Sequence, residues 1–519
     1  MRSFGSIGRR ALLTAIGAAG AGLLAAACGG ATSPTAAPSK PAEAPKPATT
    51  TAPTAAAAGG AATKPASAAP TTAPAAAPTG APAAGAATKP AAGAATAPAG
   101  AAPAPAAGGP GPLTKDKINL VFIGHVAGGE GEQKAYDLAL ETWHKNHPNI
   151  QTEYQVIPDA ERITRMTAMV AADTAPDMWR HNFGVVRLWA SQGHLLDLTD
   201  LMPKGYDKQF LAGLTAAHVY KGRYWALPHT TDTSALFYRE DALEAVGAKA
   251  PTDVKDSWSW QQFGEICDKL VKLGKQQFAF SHNQRGRWTS QFLYSTGAQI
   301  VSDDFSKMTM STPEAIEALK FIKDWHDRKW VPPALWSQTP PNAENDPFIR
   351  GTTSMAHVGQ WNITYLDENI KQNFKWNVTF TPKAKQQVTS LGGTPIVGWK
   401  KTKYPNEVAG FFEFFTSTEQ VKQFDEMANY MPVRNDLLDQ KINYKTRPDL
   451  MSVFQQQIKF LPPQYVAFTA RSYSGGIGTI ITEETTKMNL SGQSAEETGK
   501  NVDARGNQFI KENPDVEAK

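Results

Sequence analysis

This chain of 519 residues has no strong excess of one charge, since it contains 52 Lys and Arg and 48 Asp and Glu. The formal net charge is only +4, and no basic run appears. Nucleic acid is therefore not an expected partner, because binding to phosphate backbones depends on clustered cations. Cysteine is equally scarce, with only Cys28 and Cys267. Cys267 lies in the apolar-periodic stretch 263–273, where we expect a buried, unpaired core residue.

Motifs of catalysis and metal binding are missing as well. The chain contains no G-x-S-x-G, no H-E-x-x-H and no phosphate-binding P-loop, which removes the commonest hydrolase and metalloprotease signatures. The Gly-rich segment 124–131 lacks a complete G-x-G-x-x-G, so a dinucleotide site is disfavoured. His144 and His147 share one helix face, but Pro148 follows at once, which suits a helix C-terminus better than a metal. We expect no enzyme activity, no cofactor and no metal.

A long hydrophobic run is also missing, and the apolar stretch 11–27 is rich in Ala and Gly. It is shorter than the ~20 residues of a permanent membrane span. Arg9 and Arg10 precede it, and a charged start followed by a short apolar run is the layout of an export signal. The Arg pair is typical of the twin-arginine route, but a basic start also suits general secretion.

Cys28 ends this segment, and small residues followed by Cys resemble a bacterial lipobox. We therefore predict residues 1–28 to be an export signal with Cys28 lipidated, which anchors the protein at the outer face of the cytoplasmic membrane. Leu24 lies one place early for a lipobox, however. The stretch 25–27 (AAA) also suits an ordinary signal peptidase, which would release a soluble protein.

Residues 29–113 consist almost entirely of Ala, Pro, Thr, Gly, Ser and occasional Lys. Such a segment lacks the large apolar side chains that offset the entropy of ordering, so we predict a disordered tether. As a flexible coil its ~85 residues would span about 50 Å on average, and frequent Pro lengthens that reach.

Strands and helices alternate in residues 114–519, a length that suits two lobes better than one core. The apolar run 118–123 predicts a buried strand, the i, i+3, i+4, i+7 pattern from Tyr136 to Trp143 a helix, and the alternation 150–156 a second strand. This order favours an α/β fold with a parallel, helix-covered sheet. Further predicted helices span 163–172, 313–329, 406–415, 418–428 and 494–511.

Several short motifs follow one another in a familiar order. They are 175–179 (APDMW), 193–198 (GHLLDL), 224–228 (YWALP), 235–238 (ALFY), 348–361 (F…G…MA…G-x-W), 392–393 (GG) and 431–434 (MPVR). Together they resemble the extracellular solute-binding proteins of ABC importers, of the sugar-binding type related to maltose-binding protein. The resemblance covers nearly all of the chain from about Lys117.

The resemblance implies a two-lobed, periplasmic-binding-protein-like fold of type II, in which three chain segments form a hinge. Lobe 1 would comprise 114–235 and 392–435, and lobe 2 would comprise 236–391 and 436–519. The crossings should lie near 234–236, 394–398 and 430–435. Such a monomer would capture a mono- or oligosaccharide between its lobes and deliver it to the transmembrane subunits of an ABC permease.

A pyranose presents apolar C–H faces and a rim of hydroxyls, so aromatic planes and polar side chains should bind it together. Ligands of open α/β sheets lie at the carboxyl ends of strands, where we place His125, Glu130, Asn182 and Asp232. Glu130 has an alternative role in favouring the helix N-terminus, and Asp232 could instead cap a turn.

The remaining candidates for the predicted sugar site are aromatic residues, polar residues and one glycine from the second half of the chain. Trp361 is the strongest of these, because it follows a Gly-terminated strand from which a ring can project into the cleft. The others are Trp288 (or a core residue), Gln360, Gly393 for close backbone approach, Tyr430, and Arg434 as a bidentate donor or an interlobe salt bridge.

Two other classes of protein remain open from the sequence. A secreted glycoside hydrolase would share the export signal and the abundance of aromatics, and it needs two carboxylates ~5–10 Å apart. No such pair stands out. A carbohydrate-binding or adhesive surface protein would have a similar tether but no hinge. The 13 Trp residues favour sugar over amino acids or ions as the ligand.

Overall fold

The computed structural model describes residues 109–126, 129–282, 286–337 and 344–516. The predicted signal, Cys28 and most of the predicted tether lie outside these residues. Where the tether was predicted to end, Gly111 donates its backbone N–H to Asn406 Oδ1 at 3.3 Å. The strands are β1 Ile118–Gly124, β2 Ile150–Val156, β3 Met178–Arg180, β4 Val219–Tyr220, β5 Arg223–Tyr224, β6 Leu227–Asp232, β7 Ser234–Arg239, β8 Phe278–His282, β9 Thr353–Gly359, β10 Trp376–Thr379 and β11 Gly392–Gly398.

Helices separate most of these strands. They are α1 Glu130–Asn146, α2 Asp159–Ala171, α3 Phe183–Ser191, α4 Ala212–Ala216, α5 Glu240–Ala245, α6 Trp260–Leu273, α7 Gly286–Ser295, α8 Pro313–Asp327, α9 Ala334–Ser337, α10 Asp346–Ile349, α11 Asn362–Ile370, α12 Pro405–Phe415, α13 Thr418–Ala428, α14 Met451–Gln457, α15 Pro463–Thr469, α16 Ser474–Ser491 and α17 Ala495–Glu512. In the part of the chain that is described, no helix has the length and apolar character needed to cross a bilayer.

The first sheet has the strand order β2-β1-β3-β11-β6. Its strands β2, β1 and β3 run parallel, and β11 runs antiparallel to both β3 and β6. Leu120 and Phe122 of β1 are fully buried, as the continuous apolar run predicted. Helix α1 packs beside this sheet through Tyr136 and Trp143, whose spacing follows the helical period.

The second sheet has the order β10-β7-β9-β8, with β8 and β9 parallel and β7 antiparallel to both of its neighbours. Helix α6 leads into β8. Ser259 and Gln262 form a capping box at its start, and Gly274 ends it in the left-handed conformation. Cys267 of α6 is free and fully buried, which confirms its predicted place in the core.

Three segments connect the two sheets. The first is Thr233, which alone separates β6 of the first sheet from β7 of the second. The second lies between β10 and β11 and therefore precedes Gly392, whereas the sequence placed it at 394–398, inside β11. The third passes Met431, which forms a β-bridge with Thr231.

The predicted two-lobed fold of type II is confirmed. We call the first sheet with the helices packed on it lobe 1, and the second sheet with its helices lobe 2. Helices α12 and α13 pack against strands of the first sheet, and α14 packs against β7 of the second. The residue limits of the lobes stay a prediction.

Candidate functional site

The polar centre of the molecule lies where β3 ends. Arg180, the last residue of β3, is fully buried, and its Nη1 lies 2.6 Å from Oε1 of the equally buried Glu132 in the first turn of α1. The same guanidinium donates to the backbone carbonyl of His125 at 3.2 Å. His125, a predicted sugar residue, is thereby brought beside this ion pair, and its own side chain is 4% exposed.

Residues beside all three crossings contact this ion pair. Arg180 donates from Nε to Thr394 Oγ1 of β11 at 2.8 Å and from Nη2 to Thr230 Oγ1 of β6 at 3.3 Å. Tyr430, next to the third crossing, donates its hydroxyl to Glu132 at 3.3 Å. The two crossing strands also meet directly, since the hydroxyls of Thr230 and Thr394 are 3.0 Å apart. The Arg180–Glu132 pair is therefore the point on which the hinge segments converge.

The electrostatics of this cluster keep its phenols neutral. Burial raises the pKa of Tyr430 well above its usual range, and Glu132 adds to the effect. Burial also raises the pKa of Tyr136, whose ring faces the guanidinium at 5.4 Å. For Arg180 burial opposes the charge, but Tyr136 in its ionised form and the carboxylate of Glu132 outweigh it and raise the pKa well above the usual value. Tyr430 therefore acts as a hydroxyl donor.

Gln360 contacts the first crossing. Its side chain is fully buried, Oε1 accepts the backbone N–H of Thr233 at 2.9 Å, and Nε2 donates to the carbonyl of Thr231 at 3.3 Å. Because Gln360 follows β9, it ties the end of a lobe 2 strand to the hinge.

Trp361 is half-buried and immediately precedes α11. Its ring covers the backbone of Gly359, where any Cβ would overlap it. This aromatic therefore lies just after the end of β9, and its predicted role in the cleft stays a prediction. Trp288 lies in α7, and its side chain lies outside what the structure describes.

Asp232 and Gly393 lie beside the first and second crossings, where β6 pairs with β11. Asp232 ends β6 with 7% of its surface exposed, and a Cβ on Gly392 would overlap its carboxylate. Gly393 has a φ of 122°, and a Cβ there would overlap the carbonyl of Thr230. The close approach at Gly393 is thus made by the neighbouring hinge strand.

Asn182 and Glu130 border the ends of strands in lobe 1. Asn182 immediately precedes α3, and its Oδ1 accepts a hydrogen bond from Arg162 Nη2 of α2 at 2.8 Å. Glu130 is 71% exposed and pairs with Lys134 at 2.9 Å. Hydrogen bonding to Lys134 lowers the pKa of Glu130. Asn182 is therefore positioned by a neighbouring helix, whereas Glu130 contacts solvent.

Arg434 is held within lobe 1 by several partners. Its guanidinium donates to Thr416 O at 2.9 Å, to Gln209 Oε1 at 2.6 Å and to Asp436 Oδ2 at 2.9 Å. The side chain is 4% exposed. These bonds fix the chain just after the third crossing.

The predicted residues thus fall into groups. His125 and Tyr430 belong to the Arg180 cluster, Asp232, Gln360 and Gly393 belong to the crossings, and Arg434 contacts neither. Sequence reasoning missed Arg180, although a cation at the end of a buried strand is itself a signal. Among the described residues no group of three or more His, Cys, Asp or Glu is arranged to hold a metal ion.

The chain is similar to known proteins both in sequence and in fold. The sequence profile of the bacterial extracellular solute-binding proteins matches residues 127–422, more than half of the chain. The chain belongs to this family. The resemblance to solute-binding proteins of ABC importers is thereby confirmed, and the family name describes extracellular proteins that bind a solute.

Solved structures of solute-binding proteins share the fold. The GacH receptor of Streptomyces glaucescens, determined unliganded and in complex with acarbose, has a TM-score of 0.66 at 19% identity, covering 76% of this chain and 98% of that one. An ABC substrate-binding protein of Listeria monocytogenes in complex with cycloalternan has a TM-score of 0.66 at 22% identity, covering 76% and 100%.

Curated relatives are similarly distant. A binding protein of Brucella abortus is 21% identical over 324 residues, which is 60% of this chain and 74% of that protein. A maltotriose-binding protein of Pyrococcus abyssi is 20% identical over 314 residues, covering 59% of this chain and 65% of that protein.

Proposed function

We propose that this solute-binding protein captures a carbohydrate between its two lobes and delivers it to the permease of an ABC importer. The observation that carries the proposal is the likeness in fold, over 98–100% of their length, to receptors in complex with acarbose and with cycloalternan. The named ligand of the maltotriose-binding relative points the same way. Fold alone does not fix a ligand, so the chemistry of the cleft is the second support.

The cleft would be formed by the carboxyl ends of the parallel strands in both lobes, where open α/β sheets bind ligands. Trp361 offers a half-buried aromatic face at the end of β9 for the C–H face of a sugar. Asn182 and His125, beyond β3 and β1, supply polar groups on the lobe 1 side. Trp288 and Asp232 complete the proposed sugar site from α7 and the first crossing.

Delivery to a permease favours a protein that stays near the membrane. We propose that Cys28 is lipidated and that residues 29–113 act as a tether, so that a monomeric receptor moves above the outer face of the cytoplasmic membrane. Mass spectrometry of the mature protein should show an acylated Cys28 at the N-terminus. A mature N-terminus without an acyl group would contradict the anchor but not the sugar site.

A thermal-shift screen with mono- and oligosaccharides, followed by product analysis, tests the function. A ligand at 100 times its Kd stabilises the folded state by about 2.7 kcal/mol, which raises the melting temperature by a few degrees. We expect stabilisation by at least one sugar without turnover. Release of shorter sugars would instead favour a glycoside hydrolase, and the absence of stabilisation by any sugar would contradict the receptor.

Small-angle scattering tests the hinged clamp independently of affinity. Lobe closure on a sugar should reduce the radius of gyration of the folded part at saturation. An unchanged radius with a sugar that stabilises the protein would show binding without closure.

A further inference from the structure

Helix α1 of lobe 1 begins beside helix α11 of lobe 2. The residue before α1, Gly129, has a φ of 74° and gives the helix no side-chain cap. A Cβ at Gly129 would lie 3.1 Å from Oε2 of Glu368 and 3.4 Å from the backbone N of Tyr365. The carboxylate of Glu368 in α11 therefore lies against the uncapped start of a helix in the other lobe.

The chemistry of this contact is that of a helix cap. The first N–H groups of an α-helix have no partner within the helix, and the helix dipole favours an anion there. Burial raises the pKa of Glu368, the backbone N–H of Glu130 lowers it, and the carboxylate of Glu130 raises it again while the ammonium of Lys134 lowers it. The half-buried carboxylate of lobe 2 thus interacts with both the backbone and a side chain of lobe 1.

Close packing around the contact leaves little space between the helices. Two residues further on, a Cβ at Gly131 would lie 3.2 Å from Cγ2 of Thr364 and 2.5 Å from the carbonyl of Met427. Gly129 and Gly131 therefore let the first turn of α1 approach α11 more closely than residues with side chains would.

Tyr365 and Glu368 lie in α11, and Trp361 immediately precedes that helix with helical backbone angles, so the three residues occupy positions i, i+4 and i+7 of one helical spacing. The proposed sugar-stacking residue thus joins directly to the helix that contacts α1. A movement that brings Trp361 toward lobe 1 also brings Glu368 toward the start of α1.

We propose that Glu368 is an interlobe latch, whose carboxylate caps α1 of lobe 1 from lobe 2 and stabilises the arrangement in which the lobes are in contact. When the lobes separate, the carboxylate and the first N–H groups of α1 both return to water. The lobes also meet where a Cβ on Gly184 would lie 2.9 Å from Ser474 Oγ of α16. Loss of the latch should therefore shift the equilibrium between open and closed forms without abolishing closure.

The latch would regulate the proposed sugar site. Its effect on sugar affinity rests on the proposed function, whereas its effect on lobe closure does not. A ligand binds a protein more tightly when the competent conformation is already populated. The latch should therefore increase affinity for any ligand that needs both lobes. Closure itself can be measured without a ligand, so the two proposals can fail separately.

The test uses Glu368→Gln in the full chain, with Asp367→Asn as the matched control. Asp367 is the adjacent, partly exposed residue of α11, and its substitution removes the same charge at a side chain for which no hydrogen bond or ion pair to α1 is described. Nitroxide labels at Glu161→Cys of lobe 1 and Lys272→Cys of lobe 2, both exposed, report the interlobe distance by double electron–electron resonance. Cys28→Ser avoids a third label, and Cys267 is fully buried.

We expect Glu368→Gln to lower the ratio of closed to open molecules about two- to five-fold without ligand, as a lost charge at a helix N-terminus predicts. Asp367→Asn should leave the ratio unchanged. An unchanged ratio in Glu368→Gln, or an equal decrease in both variants, would overturn the latch. The melting temperatures of both variants show whether a change in the ratio of closed to open molecules comes from a loss of folding stability. A protein that binds no sugar yet shows the expected shift would contradict the proposed function alone.

Discussion

Arg180 and Glu132 form an ion pair in which Nη1 lies 2.6 Å from Oε1 and neither side chain has any exposed surface. Removing two charges from water is costly, and attraction in the interior compensates for it only where further hydrogen bonds satisfy the remaining groups. Thr230, Thr394 and Tyr430 supply those bonds from the three crossings. We infer that the pair fixes the hinge segments relative to one another rather than adding much net stability.

Arg180→Met tests this inference through the free energy of unfolding. The variant leaves Glu132 buried without its partner cation, and breaking a buried pair in this way costs about 3–5 kcal/mol. The double variant Arg180→Met/Glu132→Leu should recover most of that loss, because it removes both charges. Urea unfolding of wild type, both single variants and the double variant gives the coupling energy.

The control for this cycle is an exposed ion pair. Lys320 Nζ lies 2.7 Å from Glu496 Oε1, with side chains 60% and 52% exposed. Lys320→Met should change the unfolding free energy by less than about 1 kcal/mol, since solvent screens such pairs. A loss below about 1 kcal/mol for Arg180→Met would contradict the hinge role.

Helices with one apolar face and a clear cap were predictable from the sequence. Helix α13 spans the predicted 418–428, and Ser417 accepts the backbone N–H of Gln420 at its start. Helix α16 was not predicted, because Gly475, Gly476 and Gly478 occupy its first turns. A Cβ at Gly476 would overlap the ring of Phe509 in α17, so that glycine follows from packing between distant segments.

Site residues were harder to predict than elements. The sequence places Trp361 and Gln360 correctly at the end of a strand, because the motif fixes where β9 stops. It does not reveal that the amide of Gln360 bonds the first crossing, or that Arg434 bonds Gln209, which is 225 residues away. Such partners depend on which crossings meet, and no local pattern encodes that.

Trp361→Ala should weaken sugar affinity by about 1–3 kcal/mol through lost stacking and burial. The measurement is titration calorimetry with the sugar that gives the largest shift in the thermal screen. Trp399→Ala is the control, because Trp399 is also half-buried but follows β11, whose end pairs with the start of β3. Affinity unchanged in Trp361→Ala, or reduced equally in both variants, would remove Trp361 from the site.

Gly393→Ala should destabilise the protein by about 2–4 kcal/mol, because strain at positive φ adds to steric overlap. Gly393 has a φ of 122°, and its new Cβ would overlap the carbonyl of Thr230 in the neighbouring crossing. Gly247→Ala separates the two causes, since Gly247 has a φ of 66° with open space around it. That control should cost only about 1–2 kcal/mol in urea unfolding. Equal costs would show that contact at the crossing contributes nothing.

Buried histidines should make the fold sensitive to acid. Burial lowers the pKa of His181, His229 and His282 well below 6.5, and it lowers the pKa of His218 and His357 to about 3. Below pH 6.5 the unfolded chain binds protons that these folded histidines do not. The unfolding free energy should therefore decrease as the pH is lowered below 6.5, by about 1.4 kcal/mol per pH unit for each such histidine.

His218→Phe isolates one of these contributions. His218 stacks on Phe183 at 5.2 Å, and neither of its ring nitrogens has a hydrogen-bond partner among the described residues. An apolar ring of similar shape should therefore fold with little loss at pH 7. Between pH 6.5 and about 3, where wild-type His218 stays neutral only in the folded state, the variant should lose stability less steeply by about 1.4 kcal/mol per pH unit. Urea unfolding of both proteins at pH 7.0, 6.0 and 5.0 measures the difference. The contribution of the carboxylates to the pH dependence cancels in this difference, because both chains carry the same carboxylates. Parallel curves would mean that His218 is protonated in the folded protein or that acid acts through other groups.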